Sequence, residues 1–139
     1  MINSPPGPSA SAASLTSKPL LVPGQPLILP ELMSLATRPD LEWEFFRAGV
    51  DRCWLYRATA EGPAAVLIRF QPGGRVPLHE HVGYEHIFVL SGAQQDENGN
   101  AEAGTLVVNP PGTRHSVISK DGCVVLVIYE KPVKFIEGF

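Results

Sequence analysis

Three of the chain's four histidines lie between Gly73 and Gly92, in company with a glutamate whose spacing suits metal ligation. His79 and His81 are two residues apart, so on an extended segment both side chains leave the same face. Glu85 shares their parity, but it cannot lie further along one straight strand. Four residues past His81 is roughly 13 Å at the rise of a strand, whereas ligands of one ion stand about 2.0–2.2 Å from it. The chain must therefore turn back at Val82-Gly83-Tyr84, where Gly83 accepts the dihedrals of a tight turn. Two adjacent antiparallel strands would then bring His79, His81 and Glu85 together. His115 is the expected fourth ligand, because Pro110, Pro111 and Gly112 force a turn just before it and deliver it to a new strand. Three imidazoles and one carboxylate suit a divalent transition metal and leave two octahedral positions open. Iron and zinc head the candidates, with manganese, nickel and copper as alternatives. Binding needs neutral imidazoles and an ionised Glu85, so affinity should fall in mild acid. The resulting centre is net positive and attracts an anionic or enolate-like ligand.

Short strands must position these groups. Glu42 to Arg47, Cys53 to Thr59 and Ala64 to Gln71 read as the first strands, separated by turn-forming residues. AAVLIRF and CVVLVIY are apolar on both faces, as expected of a sheet covered on both sides. Tyr84 to Ser91 is expected to pair back on the strand of His79, with Glu85, Ile87 and Val89 facing in and His86, Phe88 and Leu90 facing out. That places His86 away from the metal. Gln94 to Gly99 reads as a hairpin turn, and Thr105 to Asn109, His115 to Ser119 and Cys123 to Glu130 complete the set. Such short, regularly spaced strands indicate a barrel or sandwich. Pro30 is expected to open one helical turn reaching Leu35, and the proline-broken stretch Leu20 to Leu29 an edge strand or an arm across a second subunit.

Composition bounds the rest. The 139 residues suit one domain. Residues 1–18, rich in Ser, Ala and Pro, are expected to be a flexible segment, and residues 19–139 the folded unit. A net charge of −3 argues against a nucleic-acid partner. No run is apolar and long enough for a membrane span, and the first residues lack a secretory signal. Cys53 and Cys123 are thus expected as reduced thiols in a cytoplasmic protein. Cys123 sits in a buried-type strand with no base near it in sequence, so a thiol nucleophile is not supported.

Gly73, His79, His81, Glu85 and Gly92 stand at the spacings of the first cupin motif. Gly104, Pro110, Gly112 and His115 match the second, whose closing Asn is Ser119 here. Within that superfamily the chain resembles the ChrR-type cupins over roughly residues 40–130, through LEWEFFRAGV, PGGRVPLHEH, DENGNAEAGT, NPPGTRH and Gly122-Cys123. The resemblance implies an all-β, single-domain cupin: a small antiparallel β-barrel or jelly roll, homodimeric, with His79, His81, Glu85 and His115 as metal ligands. Absence of an internal repeat makes it one cupin unit. Similar cupins include oxygenases that cleave small diketones or hydroxyketones, and a mononuclear metal-dependent oxygenase with a small chelating substrate is the first expectation. A metal- or ligand-sensing cupin related to the ChrR regulators is the second. Against it, residues 1–40 contain no Cys or His for the zinc-binding segment of those regulators. An oxygen-independent, metal-dependent isomerase or lyase is the third. Arg69, Arg75, Tyr84 and Arg114 lie near the ligands in sequence and could orient a substrate. Val66, Ile68, Phe70, Leu106, Val108, Val125 and Val127 offer an apolar lining.

Overall fold

The two runs without polar alternation, AAVLIRF and CVVLVIY, become neighbouring central strands with an apolar layer on each side. In the computed structural model, which describes residues 17–136, the strands are β1 Glu44–Arg47, β2 Val50–Arg57, β3 Ala64–Phe70, β4 Gly74–Glu80, β5 Glu85–Asp96, β6 Gly99–Glu102, β7 Leu106–Asn109, β8 Arg114–Ser119, β9 Cys123–Tyr129 and β10 Lys134–Phe135. All pair antiparallel, in the order β1-β2-β3-β9-β5-β8-β4-β10, with β6 and β7 also paired to β5. The sheet curls into one all-β domain. Most of the segment expected to be flexible lies outside the described residues.

Alternation then divides the core in two. Val66 and Phe70 of β3 join Val125 and Val127 of β9 in an inner cluster with Val76, Ile87, Val89 and Val117. Their neighbours Ala65, Leu67 and Val124 face the opposite side and pack with Leu35, Leu41, Trp43 and Leu55. The stretch Leu20 to Leu29 covers this second cluster, with Leu20, Leu27 and Leu29 packed on it. It is an arm, but it lies on its own chain: the amides of Leu20 and Leu21 donate to the Trp54 and Leu55 carbonyls at 2.9 and 2.8 Å. The helical turn is a 3-10 helix over Leu32–Thr37 and starts later than expected, after Glu31 in a left-handed conformation. Its Leu35 is fully buried, a contribution of about 2 kcal/mol that pins the turn to the sheet. Leu90, expected to face outward, does so, yet it is buried under this cover.

One pairing differs from the expectation. Strand β5 does not return along β4; β4 pairs with β8 and β10 instead. Residues 81–84 therefore cross from one part of the sheet to another and are not a hairpin turn. Gly83 is needed there for space and not for a positive φ, since a Cβ would stand 2.9 Å from the Cβ of Glu130. The link between the two parts of the sheet falls to β5 itself. Its first half pairs with β7 and β9, its last residues with β6, and Gln95 with Ile118 of β8. The change of partner follows a bulge between Val89 and Ser91 and a left-handed Gly92 at φ +69°.

Candidate metal centre

The ladder between β4 and β8 sets His79 directly opposite His115. His81 lies one residue past the end of β4, held by backbone bonds of 2.8 Å from its amide to the Thr113 carbonyl and from the Gly112 amide to its own carbonyl. Pro77 interrupts β4 in a stretch where the register shifts, because it has no N–H for the ladder. All three histidines are buried, and each can offer one ring nitrogen within 4.8 Å of the others. The ring centroids stand 4.6, 4.7 and 5.2 Å apart. These three side chains could hold a metal ion.

Hydrogen bonds on the far side of each ring fix which nitrogen faces the centre. The Nδ1–H of His79 donates to the Pro77 carbonyl at 2.8 Å, that of His81 to the carbonyl and hydroxyl of Thr113 at 3.0 Å, and that of His115 to Asp96 Oδ2 at 2.8 Å. Carbonyl and carboxylate oxygens only accept, so the proton sits on Nδ1 and each Nε2 keeps its lone pair. Glu85, the first residue of β5, completes the group. Its Oε1 accepts from Asn109 Nδ2 at 3.1 Å and lies 3.0 Å from His81 Nε2. That nitrogen is buried yet has no hydrogen-bond partner of acceptable geometry among the described residues. Such an orphan costs about 1–3 kcal/mol, and a cation between the two atoms would remove the cost. The donor set fits a divalent ion.

Protonation agrees with this. Burial would raise the Glu85 carboxyl, but the polar groups around it, His81 and the Asn109 amide first among them, hold it below the ordinary carboxylate value. Burial lowers the His79 imidazole pKa, against the pull of the Pro77 carbonyl and with the help of His115. An anionic carboxylate and a neutral ring are the forms that ligation needs.

His79, His115 and Glu85 open onto a cavity of about 240 Å³. Val66, Ile68, Phe70, Val125 and Val127 line it as expected, whereas Leu106 and Val108 stand on the outer surface, 58% and 47% exposed. Of the four candidate orienting residues, none lines it. Arg69 lies on the other face of β3, paired with Asp51 at 2.9 Å; Arg114 pairs with Glu80 at 2.9 Å; Arg75 and Tyr84 are exposed. His86 is exposed, as its parity required, and the buried Cys53 and Cys123 are free thiols. The polar lining comes instead from Arg52, Arg57, Gln94 and Tyr129. Sequence reasoning missed these, and also Asp96, Asn109 and Thr113. Asp96 reads as a turn residue in DENGN; only the bend of β5 carries it to His115. Asp96→Asn keeps an acceptor but removes the charge that makes the His115 ring a stronger donor. Metal affinity is expected to drop about tenfold, measured by competition with a chromophoric chelator.

Among the described residues, no helix is long and apolar enough to cross a membrane. Residues 33–133 match the model of the ChrR cupin-like domain. No curated protein matches the chain. Among solved structures, the anti-sigma factor ChrR of Rhodobacter sphaeroides, in complex with SigE, is 26% identical over 73% of this chain, with a TM-score of 0.63. The match spans 56% of that chain. A proposed acetylacetone dioxygenase from Methylibium petroleiphilum is 18% identical, covering 70% of this chain and 76% of its own, at a TM-score of 0.65. The polyketide cyclase RemF from Streptomyces resistomycificus is 20% identical over 70% and 80% of the two chains, with a TM-score of 0.59. At those identities the last two share the fold alone. With the family model matching residues 33–133, most of its length, and the histidines gathered in a curled all-β sheet, this chain belongs to the ChrR cupin-like domain family.

Proposed function

We propose that His79, His81, Glu85 and His115 together hold one divalent ion, iron or zinc before manganese, nickel or copper, and that the protein is a mononuclear oxygenase for a small chelating diketone or hydroxyketone. The observation that carries this reading is a set of anchored imidazoles and a carboxylate at the wall of a largely apolar, half-open cavity. When bound, the ion supplies exchangeable coordination positions and, as Fe(II), the redox capacity for oxygen-dependent cleavage. The chain's residues do the remainder. Pro77, Thr113 and Asp96 keep the three rings aimed inward, and Asn109 steadies Glu85. Val66, Val125, Val127 and Phe70 exclude water around a ligand of a few carbon atoms. A homodimer in the cytoplasm belongs to the same reading.

The ChrR likeness favours a second reading, a cupin that senses a metal or small ligand without turnover. Fold alone does not choose between them. Oxygen consumption by the Fe(II)-loaded protein with a panel of β-diketones and hydroxyketones does. Uptake dependent on both iron and substrate is expected. Tight zinc binding with no uptake for any member of the panel would transfer the assignment to the sensor.

A further inference from the structure

The rim of the cavity carries a ladder in which cations and aromatic rings alternate. Arg47 lies 4.8 Å from the Phe135 ring centre and 5.0 Å from that of Phe46; Arg52 lies 4.6 Å from Phe46 and 5.1 Å from Trp54; Arg57 lies 4.7 Å from Trp54. Charge here is unbalanced in a chain whose net charge is −3. Arg52 is neutralised by Glu44 at 2.7 Å, and Glu44 also accepts from the Trp54 indole at 3.3 Å and the Ser17 amide at 3.1 Å. Arg57 forms no ion pair among the described residues, and the Nε of Arg47 is buried without a hydrogen-bond partner.

The backbone places Arg57 on this rim by a specific irregularity. Along β2, Arg52 and Trp54 face the cavity, and strict alternation would put Tyr56 there and Arg57 on the opposite side. The register with β3 slips between Trp54 and Tyr56, so Tyr56 stands opposite the outward Ala65 and Arg57 opposite the inward Ala64. Bulges of this kind re-aim side chains. Arg57 and Tyr129 line the same cavity as Glu85, and Tyr129 is the direct partner of Glu85 across the β5–β9 ladder.

From this we infer that the cavity binds a small organic acid, its carboxylate held at the mouth by Arg57 and its apolar body laid against Trp54 toward the histidines. A guanidinium beside an aromatic face meets a planar carboxylate with paired N–H donors, while the ring accepts the carbon skeleton. The inference rests on the proposed function only in naming the class of substrate: a keto or hydroxyketo compound that bears a carboxylate.

The test uses benzoate and its neutral isostere benzamide, titrated calorimetrically into metal-free protein so that coordination to an ion plays no part. Benzoate is expected to bind about tenfold more tightly than benzamide or better. The preference should vanish in R57Q and survive in R57K, with circular dichroism showing both variants folded. Equal affinities for the two probes, no detectable benzoate binding, or a preference that persists in R57Q would overturn the proposal. Metal content of the same variants is read separately. A protein that prefers benzoate but holds no metal would refute the proposed function and leave this inference standing.

Discussion

In His79→Ala, purified protein is expected to lose most of its bound metal, with affinity down by more than about a hundredfold, while the barrel stays folded. The magnitude follows from the role of the ring. Removing a group that merely orients a ligand weakens metal binding by about 10–100-fold, and removing a donor atom costs at least that. His115→Ala should behave alike, since the two rings face each other across the β4–β8 ladder. Folding survives because the inner apolar cluster does not include the histidines. The loss is confined to the bonds of one ring, chiefly the Pro77 carbonyl left without its donor, at about 1–3 kcal/mol. Elemental analysis gives the metal content and a urea transition gives the stability. Added imidazole should restore part of the binding in the alanine variants. If both variants retained wild-type metal content, the four-ligand assignment would be wrong.

The second large effect concerns stability. Gly92 has φ +69°, and a Cβ there would lie 2.1 Å from the Gly122 carbonyl oxygen and 2.9 Å from the Cα of Cys123. Both neighbours are backbone at the start of β9, which cannot yield without disturbing the ladder that joins β5 to β9. Gly92→Ala therefore adds a displaced strand end to the conformational cost of a left-handed alanine, which is about 1–2 kcal/mol on its own. A total destabilisation of about 3–4 kcal/mol is expected. Gly73→Ala supplies the control: its φ is +83° with no atom within 4 Å of the added carbon, so only the conformational part remains. Chemical denaturation of the two variants separates the contributions. Equal midpoints would mean that the close approach at Gly92 carries no energy. The same position links fold to site, because the bend after Val89 leaves Glu85 between β7 and β9 and carries Asp96 onto β6, within reach of His115.

Much of the site was legible in the chain itself because its information is local. Two histidines at alternate positions share a face whatever surrounds them, and a Pro-Pro-Gly turn must redirect the chain before His115. Periodicity was equally informative for β3 and β9, whose unbroken apolar runs predicted two covered faces and received them from the inner cluster and the outer arm. The same parity argument placed His86 outside. It could not have placed Arg57, because a one-residue slip in pairing inverts every later side chain and no residue type in WLYR announces that slip.

Strand partners were the limit of what the primary structure determined. Short strands carry no label for their neighbours, so pairing β4 with β5 was the simplest reading, whereas the curled sheet pairs β4 with β8. Tertiary structure alone decided which groups stand behind the rings. Asp96 and Thr113 lie 19 and 32 residues from the histidines they support, a separation at which sequence spacing sets no distance. It likewise decided that arginines of β1 and β2, far from the ligands along the chain, form the rim above them. Local rules brought out the candidate donors, since face and turn are properties of a few adjacent residues; the curl of the sheet chose their surroundings, since that depends on every strand finding its edge.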